Sequence, residues 1–400
     1  MNRTIILALG TALCAAALAP AALQAQTKAP ATPAASAPKA AVRAAPAKAS
    51  AYRAPRNAFG QPDLGGAWTN ASITTEQRPA NVNGRAVYTP QEVAELEGFV
   101  AKEVEVGNKA SDPTKGAPTK GGDPIPEGIR TSLYLGGGGN TGGYDRGWLD
   151  PGSAVMRVGG EPRTSFLTTP DGRVPPRKGQ AASPAGGRGG QAPQQAAAGR
   201  GGITPQTGGA TRGAGGGGPT ENPEQRSLGD RCILSFGRNA GPPMLNNGFY
   251  NNNYNLVQGK GTVAIWVEMV HDVRVVRLND KHRTDGVRPY YGDAIGHYEG
   301  DTLVVETTNI PQAQQYNGSW QTLTVTERFT RVTPTRMLYR YTIHDPSLWD
   351  ADWGGEYEFL LLPTGQRVEE YACHEGNYAL EDILAGARAE EQASAKAAQR

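Results

Sequence analysis

Apolar side chains recur at every second position through much of the C-terminal half of the chain. Leu323, Val325 and Phe329 share one parity in TLTVTERFTRV (322–332), and Met337, Tyr339, Tyr341 and Ile343 share one in RMLYRYTIHD (336–345). A period of two marks a strand with one face buried. GTVAIWVEMVHDVRVVRL (261–278), DTLVVETTN (301–309), GEYEFLLLP (355–363) and RVEEYACH (367–374) read as strands too, and turn signals such as TPT and PTGQ leave few residues between neighbours. Short strands joined by tight turns predict a mainly β fold, an antiparallel up-and-down barrel or a sandwich. No helical pattern separates these strands, so the crossovers that parallel wiring requires are missing.

Helical periods occur at two places. In YTPQEVAELEGFVAKEVE, Thr89 is the expected N-cap, Pro90 suits the first helical position, and Glu92 completes a capping box. Val93, Leu96, Val100 and Val104 then share one apolar face. After HEGN, Asn377 is the expected N-cap of a closing helix whose Leu380, Ile383, Leu384 and Ala387 form a stripe to pack on the sheet. Upstream, Gly66-Ala67-Trp68 predicts a strand opening after a turn. RTSFLTTPDGRVPP predicts a short strand ending in a Pro170-Asp171-Gly172 turn.

Composition divides the chain further. Arg3, the apolar run TIILALGTALCAAALAPAAL and the small residue Ala25 stand in the order of a secretory signal, placed at 1–25. Pro20 interrupts the run and no stop-transfer segment follows, so stable membrane insertion is not expected. The 53 glycines and 30 prolines are concentrated elsewhere. An Ala/Pro-rich tether at 26–55 and a Gly/Arg/Pro-rich insertion at 181–225 have too few large apolar side chains to offset their ordering entropy, and are predicted to be disordered. There remain the N-terminal part of the β domain with one helix (56–180), the C-terminal β-rich core with its closing helix (226–390), and a tail (391–400). The GRGG elements resemble RNA-binding tails, but an exported chain of net charge +2 predicts no nucleic-acid partner.

Removing the leader leaves two cysteines, Cys232 and Cys373, which in an oxidising compartment predict a disulfide. A paired Cys373 is no nucleophile, and Cys373-His374-Glu375 becomes a clasp, with Glu375 near the positive end of the closing helix. All five histidines, His271, His282, His297, His344 and His374, fall in the C-terminal block. On an unbroken strand, His271 shares a face with Ile265, Val267, Met269, Val273 and Val275, and Glu327 interrupts the face of Leu323, Val325 and Phe329. A histidine and a glutamate inside an apolar barrel would form an acid–base pair: His271 with Glu268 or Glu327. The competing account satisfies them with each other, or with arginines such as Arg274 and Arg328. No HExxH, H-x-H or multi-cysteine spacing is present, no G-x-S-x-G, and LGGGGNTGGYDRG lacks the Lys-Ser/Thr of a phosphate loop. No metal and no cofactor are predicted.

PDLGGAWTNASITTEQRPA, RTSFLTTPDGRVPP, DRCILSFGRNAGPPML, NNNYNLVQGKGTVAIWVEMVHDVRVVRL, GHYEGDTLVVETTN and EYACHEGNYALEDILAGAR resemble stretches of a group of exported bacterial proteins. That resemblance implies no reaction or substrate. Gly66-Ala67-Trp68 is also similar to the first-strand G-x-W of the calycins, the lipocalins and fatty-acid-binding proteins. EGDTLVVETTN is similar to one of their mid-barrel strands. This second likeness implies a cup for a small apolar ligand.

The expectation is an exported protein, periplasmic or extracellular. Its barrel would hold a small, largely hydrophobic or aromatic molecule in a cavity lined by Trp266, Arg274, Tyr339, Tyr341 and Tyr357. The alternatives are a lyase, isomerase or hydrolase using His271 with Glu268 or Glu327, and an envelope structural or assembly protein.

Overall fold

A computed structural model describes residues 52–107, 152–179, 222–226, 231–233, 240–245 and 252–398. The expected leader, the tether up to residue 51, the glycine-rich loop at 135–147 and the insertion as far as 221 lie outside the described residues.

The period-two segments form a closed barrel of nine strands. They are β1 (Gly66–Thr69), β4 (Asn253–Gln258), β5 (Thr262–Val267), β6 (Val273–Leu278), β7 (Asp293–Glu299), β8 (Thr302–Thr308), β9 (Thr324–Thr333), β10 (Arg336–His344) and β11 (Trp353–Leu361). A small two-stranded sheet, β2 (Arg157–Val158) with β3 (Glu161–Pro162), stands apart. From β4 to β11 each strand pairs with the next. The barrel closes where β1 enters between β11 and β4. The mainly β fold is as expected, and a closed barrel is the form it takes.

Three local expectations change. The apolar run at 261–278 is not one strand: the chain turns at Met269–His271, splitting β5 from β6. RVEEYACH forms no strand: the chain runs there as turns and irregular backbone between β11 and the closing helix. Wiring is not wholly antiparallel either. β6 and β7 run parallel, joined through residues 279–292 without a helix, and their ladder holds only Arg277↔Ile295 and Leu278↔Gly296.

Inside, the rings fill the barrel. Trp68, Tyr254, Phe329, Tyr339 and Phe359 are fully buried. Tyr254 meets Phe359 edge-on with centroids 5.2 Å apart, and Tyr339 lies 5.0 Å from Phe329 and 4.9 Å from Tyr357. These are the offset and tilted geometries that the ring quadrupole favours.

The first helix, α1 (Pro90–Gly107), opens on the expected capping box. The Thr89 N–H donates to Glu92 Oε2 at 2.7 Å, and the Glu92 N–H donates back to Thr89 Oγ1 at 3.2 Å. Val93, Leu96 and Val100 bury against Ile73, Val82, Tyr88 and Val155 in a second, smaller core. In α2 (Tyr378–Ala398), Ala387 is buried and Leu380, Ile383 and Leu384 are half-buried. No described helix is long and apolar enough to cross a membrane.

Cys232 and Cys373 form the expected disulfide, with a sequence separation of 141 residues. It ties the chain ahead of β4 to the turn that leads into α2. Replacing both cysteines with serine is expected to lower unfolding free energy by about 2–5 kcal/mol, the range for closing a long loop. Urea denaturation of the two proteins measures it.

Candidate binding site

Parity on β9 turns Val325, Glu327 and Phe329 inward, and parity on β6 does the same for Arg274 and Val276. The two charged groups meet inside the barrel. Arg274 Nη2 donates to Glu327 Oε2 at 2.5 Å, with side chains 1% and 0% exposed. The Tyr339 hydroxyl on β10 donates to the other carboxylate oxygen at 2.8 Å. Burying such a pair costs desolvation that only good geometry and further hydrogen bonds repay. Burial, then the neighbouring Glu327, holds the Tyr339 hydroxyl well above the ordinary tyrosine range, so it remains protonated. The net charge of the pair is zero.

This network also grips a piece of the chain that belongs to no wall strand. Ala240 to Leu245 are buried at every position. Arg274 Nη1 donates to the Ala240 carbonyl at 3.2 Å, and the Met244 N–H donates to Tyr339 Oη at 2.8 Å. The Tyr357 hydroxyl on β11 donates to the Met244 carbonyl, and Asn70 Nδ2 donates to Tyr357 Oη at 3.2 Å. Gly241 is required here twice over. Its φ is +71°, and a Cβ would stand 2.5 Å from Arg274 Nη1.

A cavity of about 80 Å³ opens beside Tyr357. It exists because β11 has different partners along one edge. β1 pairs with Leu360 and Leu361, residues 166–168 pair with the start of the strand, and between them the edge is left to the cavity. Asn70, Ala71, Met156, Phe166 and Leu360 line it with Tyr357, and the ion pair of Arg336 with Glu358 (2.8 Å) sits at its side.

The residues singled out from sequence fall into three places. Arg274, Tyr339, Tyr341 and Tyr357 are buried inside the barrel with Glu327. Trp266 is half-buried on the outer parity of β5, so it does not line the interior with them. His271 and Glu268 belong to the turn between β5 and β6. There Val270 and His271 take φ of +59° and +44°, a conformation in which a β-branched residue is an outlier. Those two left-handed residues reset the strand parity, so Arg274, not His271, points inward. His271 is exposed, while Glu268 is buried and accepts from Asn253 Nδ2 at 2.8 Å. Glu327 is bonded to Arg274 and Tyr339, not to His271.

The same turn carries a residue the sequence did not flag. Burial pushes the Asp272 carboxyl up to about 6, against the opposing pull of the Tyr291 hydroxyl and of His271. Met244 and Asn70 were missed as well. Their roles rest on backbone groups and on a contact across 287 residues, for which no periodicity speaks. Of the other histidines, His282 lies between Asp293 (2.9 Å) and Glu306 (3.1 Å), and His297 and His344 pair with exposed carboxylates. His374 is exposed. Among the described residues no group of His, Cys, Asp and Glu could hold a metal ion.

Compared with family profiles, curated proteins and solved structures, the chain matches none. Fold and site together define a closed β-barrel whose aromatic interior is organised around one buried ion pair.

Glu327→Gln strands the Arg274 charge and is expected to cost about 3–5 kcal/mol, whereas Arg274→Met combined with Glu327→Leu recovers most of that loss. Chemical denaturation of the three proteins compares them. A carboxyl whose folded-state value is raised stabilises when protonated, and that contribution is lost as pH climbs from about 4 through about 6. Asp272→Asn is therefore expected to match the native protein below pH 4 and to exceed it in melting temperature at pH 7. A pH series of thermal melts reads this directly.

Proposed function

We propose that this is an exported binding protein whose barrel takes up one small, largely hydrophobic or aromatic molecule, as calycin barrels do. The observation that carries the reading is the cavity beside Tyr357, with apolar side chains on most of its wall and, among its lining, a tyrosine whose buried hydroxyl makes hydrogen bonds. Barrels of about this strand number enclose a single ligand, and ligand sites pair apolar walls with a few placed polar groups. A disulfide suits an oxidising compartment outside the cytosol. Pockets for whole drug-sized molecules measure about 300–1,000 Å³. The present cavity accommodates a fragment, and a complete ligand draws further room from the interior.

Native mass spectrometry of protein purified without denaturant is expected to show a retained small molecule, lost or reduced in Tyr357→Ala. An adduct-free spectrum across several purifications, with no apolar compound binding on addition, would sink the reading.

The strained turn favours a second reading, an acid–base enzyme working at His271, Asp272 and Glu268. Backbone outliers and shifted carboxyls gather at functional sites. Turnover would then follow a group titrating near pH 6, and would vanish in Asp272→Asn and in His271→Ala with no fall in melting temperature in either. Activity indifferent to both changes rules it out.

A further inference from the structure

The way the chain fills its own interior bears on what chemistry the barrel recognises. We infer that the site around Arg274, Tyr339 and Tyr357 is built for a neutral, apolar molecule bearing an amide, and that Ala240–Leu245 occupies it as a stand-in. The inference rests on the proposed binding function and deepens it.

The barrel touches this segment through peptide groups. Arg274 and Tyr357 each donate to a carbonyl, and Tyr339 accepts an N–H. Two carbonyl acceptors and one N–H donor are what any secondary amide chain presents, whatever its side chains. The wall groups come from three strands, β6, β10 and β11. Glu327 orients Arg274 and Tyr339 by bonds of its own, and Asn70 bonds to Tyr357. Their placement does not depend on the segment, so the site persists when the segment leaves.

Charge decides the class further. Arg274 and Glu327 cancel, so a neutral guest meets no net field. A carboxylate placed at the Met244 carbonyl position would enter a buried interior where, among the described residues, the Arg274 charge is already matched by Glu327. Arg274 Nε is also buried and has no hydrogen-bond partner among the described residues, which leaves a spare donor for a guest with one more acceptor than the segment supplies. Met244 is wholly buried among the rings, and an unbranched thioether is the side chain that most readily gives way to another apolar shape. Tyr357, the residue that holds the Met244 carbonyl, also lines the cavity, so a guest arriving there meets one of the segment's own anchors.

The test vacates the site and refills it. In the full-length chain, Gly241→Val places a side chain against Arg274 Nη1 and forces the segment out. Calorimetric titration with acetyl-Ala-Gly-Pro-Pro-Met-Leu-amide is expected to show binding at least tenfold tighter to the variant than to the native chain. The same peptide N-methylated at methionine loses the donor to Tyr339 and is expected to bind at least tenfold more weakly. Equal affinity for both proteins, no binding to a variant with native far-ultraviolet dichroism, or indifference to N-methylation would each overturn the inference. A separate measurement needs no variant. In the native chain, the Met244 amide is expected to exchange hydrogen at least a hundredfold faster than the Phe329 and Tyr339 amides of the wall. Protection equal to theirs would make the segment a permanent part of the core and end the inference. A molecule retained in native mass spectrometry would still stand in that case, so the two readings fail separately.

Discussion

An arginine and a glutamate sealed from water in the middle of a ring-filled barrel set the terms for the rest of the structure. Neither charge could be buried alone, since an unpaired ion in such surroundings costs several kcal/mol. Their pairing therefore fixes how β6 and β9 face each other, although the two strands are not neighbours in the wall. Tyr339 is drawn into the same network, and its hydroxyl in turn holds a peptide group of the 240–245 segment. One interaction thus links opposite walls, the aromatic filling and the chain's own occupant.

The wall shows where it is weakest in the same terms. Seven consecutive hairpin-like pairings would make a continuous antiparallel sheet, but the β6–β7 junction interrupts the series with a short parallel ladder, and β1 meets β11 over only two residue pairs. Backbone groups at such places lack a long run of ladder partners. The short β1–β11 contact is where the cavity opens. A barrel sealed evenly around its circumference would hold its interior beyond reach, and the unequal pairing on the edge of β11 leaves a cavity that Tyr357, whose hydroxyl is buried, helps to line.

Much of the fold was legible in the sequence. Period-two alternation marked β9 and β10, and the Thr89–Glu92 spacing marked the start of α1, because these signals are local and the physics behind them acts over a few residues. The inward placement of Glu327 followed from parity alone. The segment at 261–278 shows the limit. Its alternation runs unbroken through Met269 and Val270, yet two left-handed residues turn the chain and reverse which side chains face in. His271 was thereby placed inside by pattern and outside by structure. RVEEYACH had strand-like letters and forms no strand.

What the amino-acid sequence determined by itself is the strand character of its period-two segments, the start of α1 and the partner of Cys373, since only one other cysteine outside the expected leader was available. What only the tertiary structure decided is which polar groups meet: Arg274 with Glu327 across 53 residues, Tyr357 with Asn70 across 287, and the barrel with Ala240–Leu245. The reason is physical. Propensity and periodicity report on a residue's own neighbourhood along the chain. The burial of a charge or a peptide group is settled by what lies opposite in space, and that depends on the closure of the whole sheet.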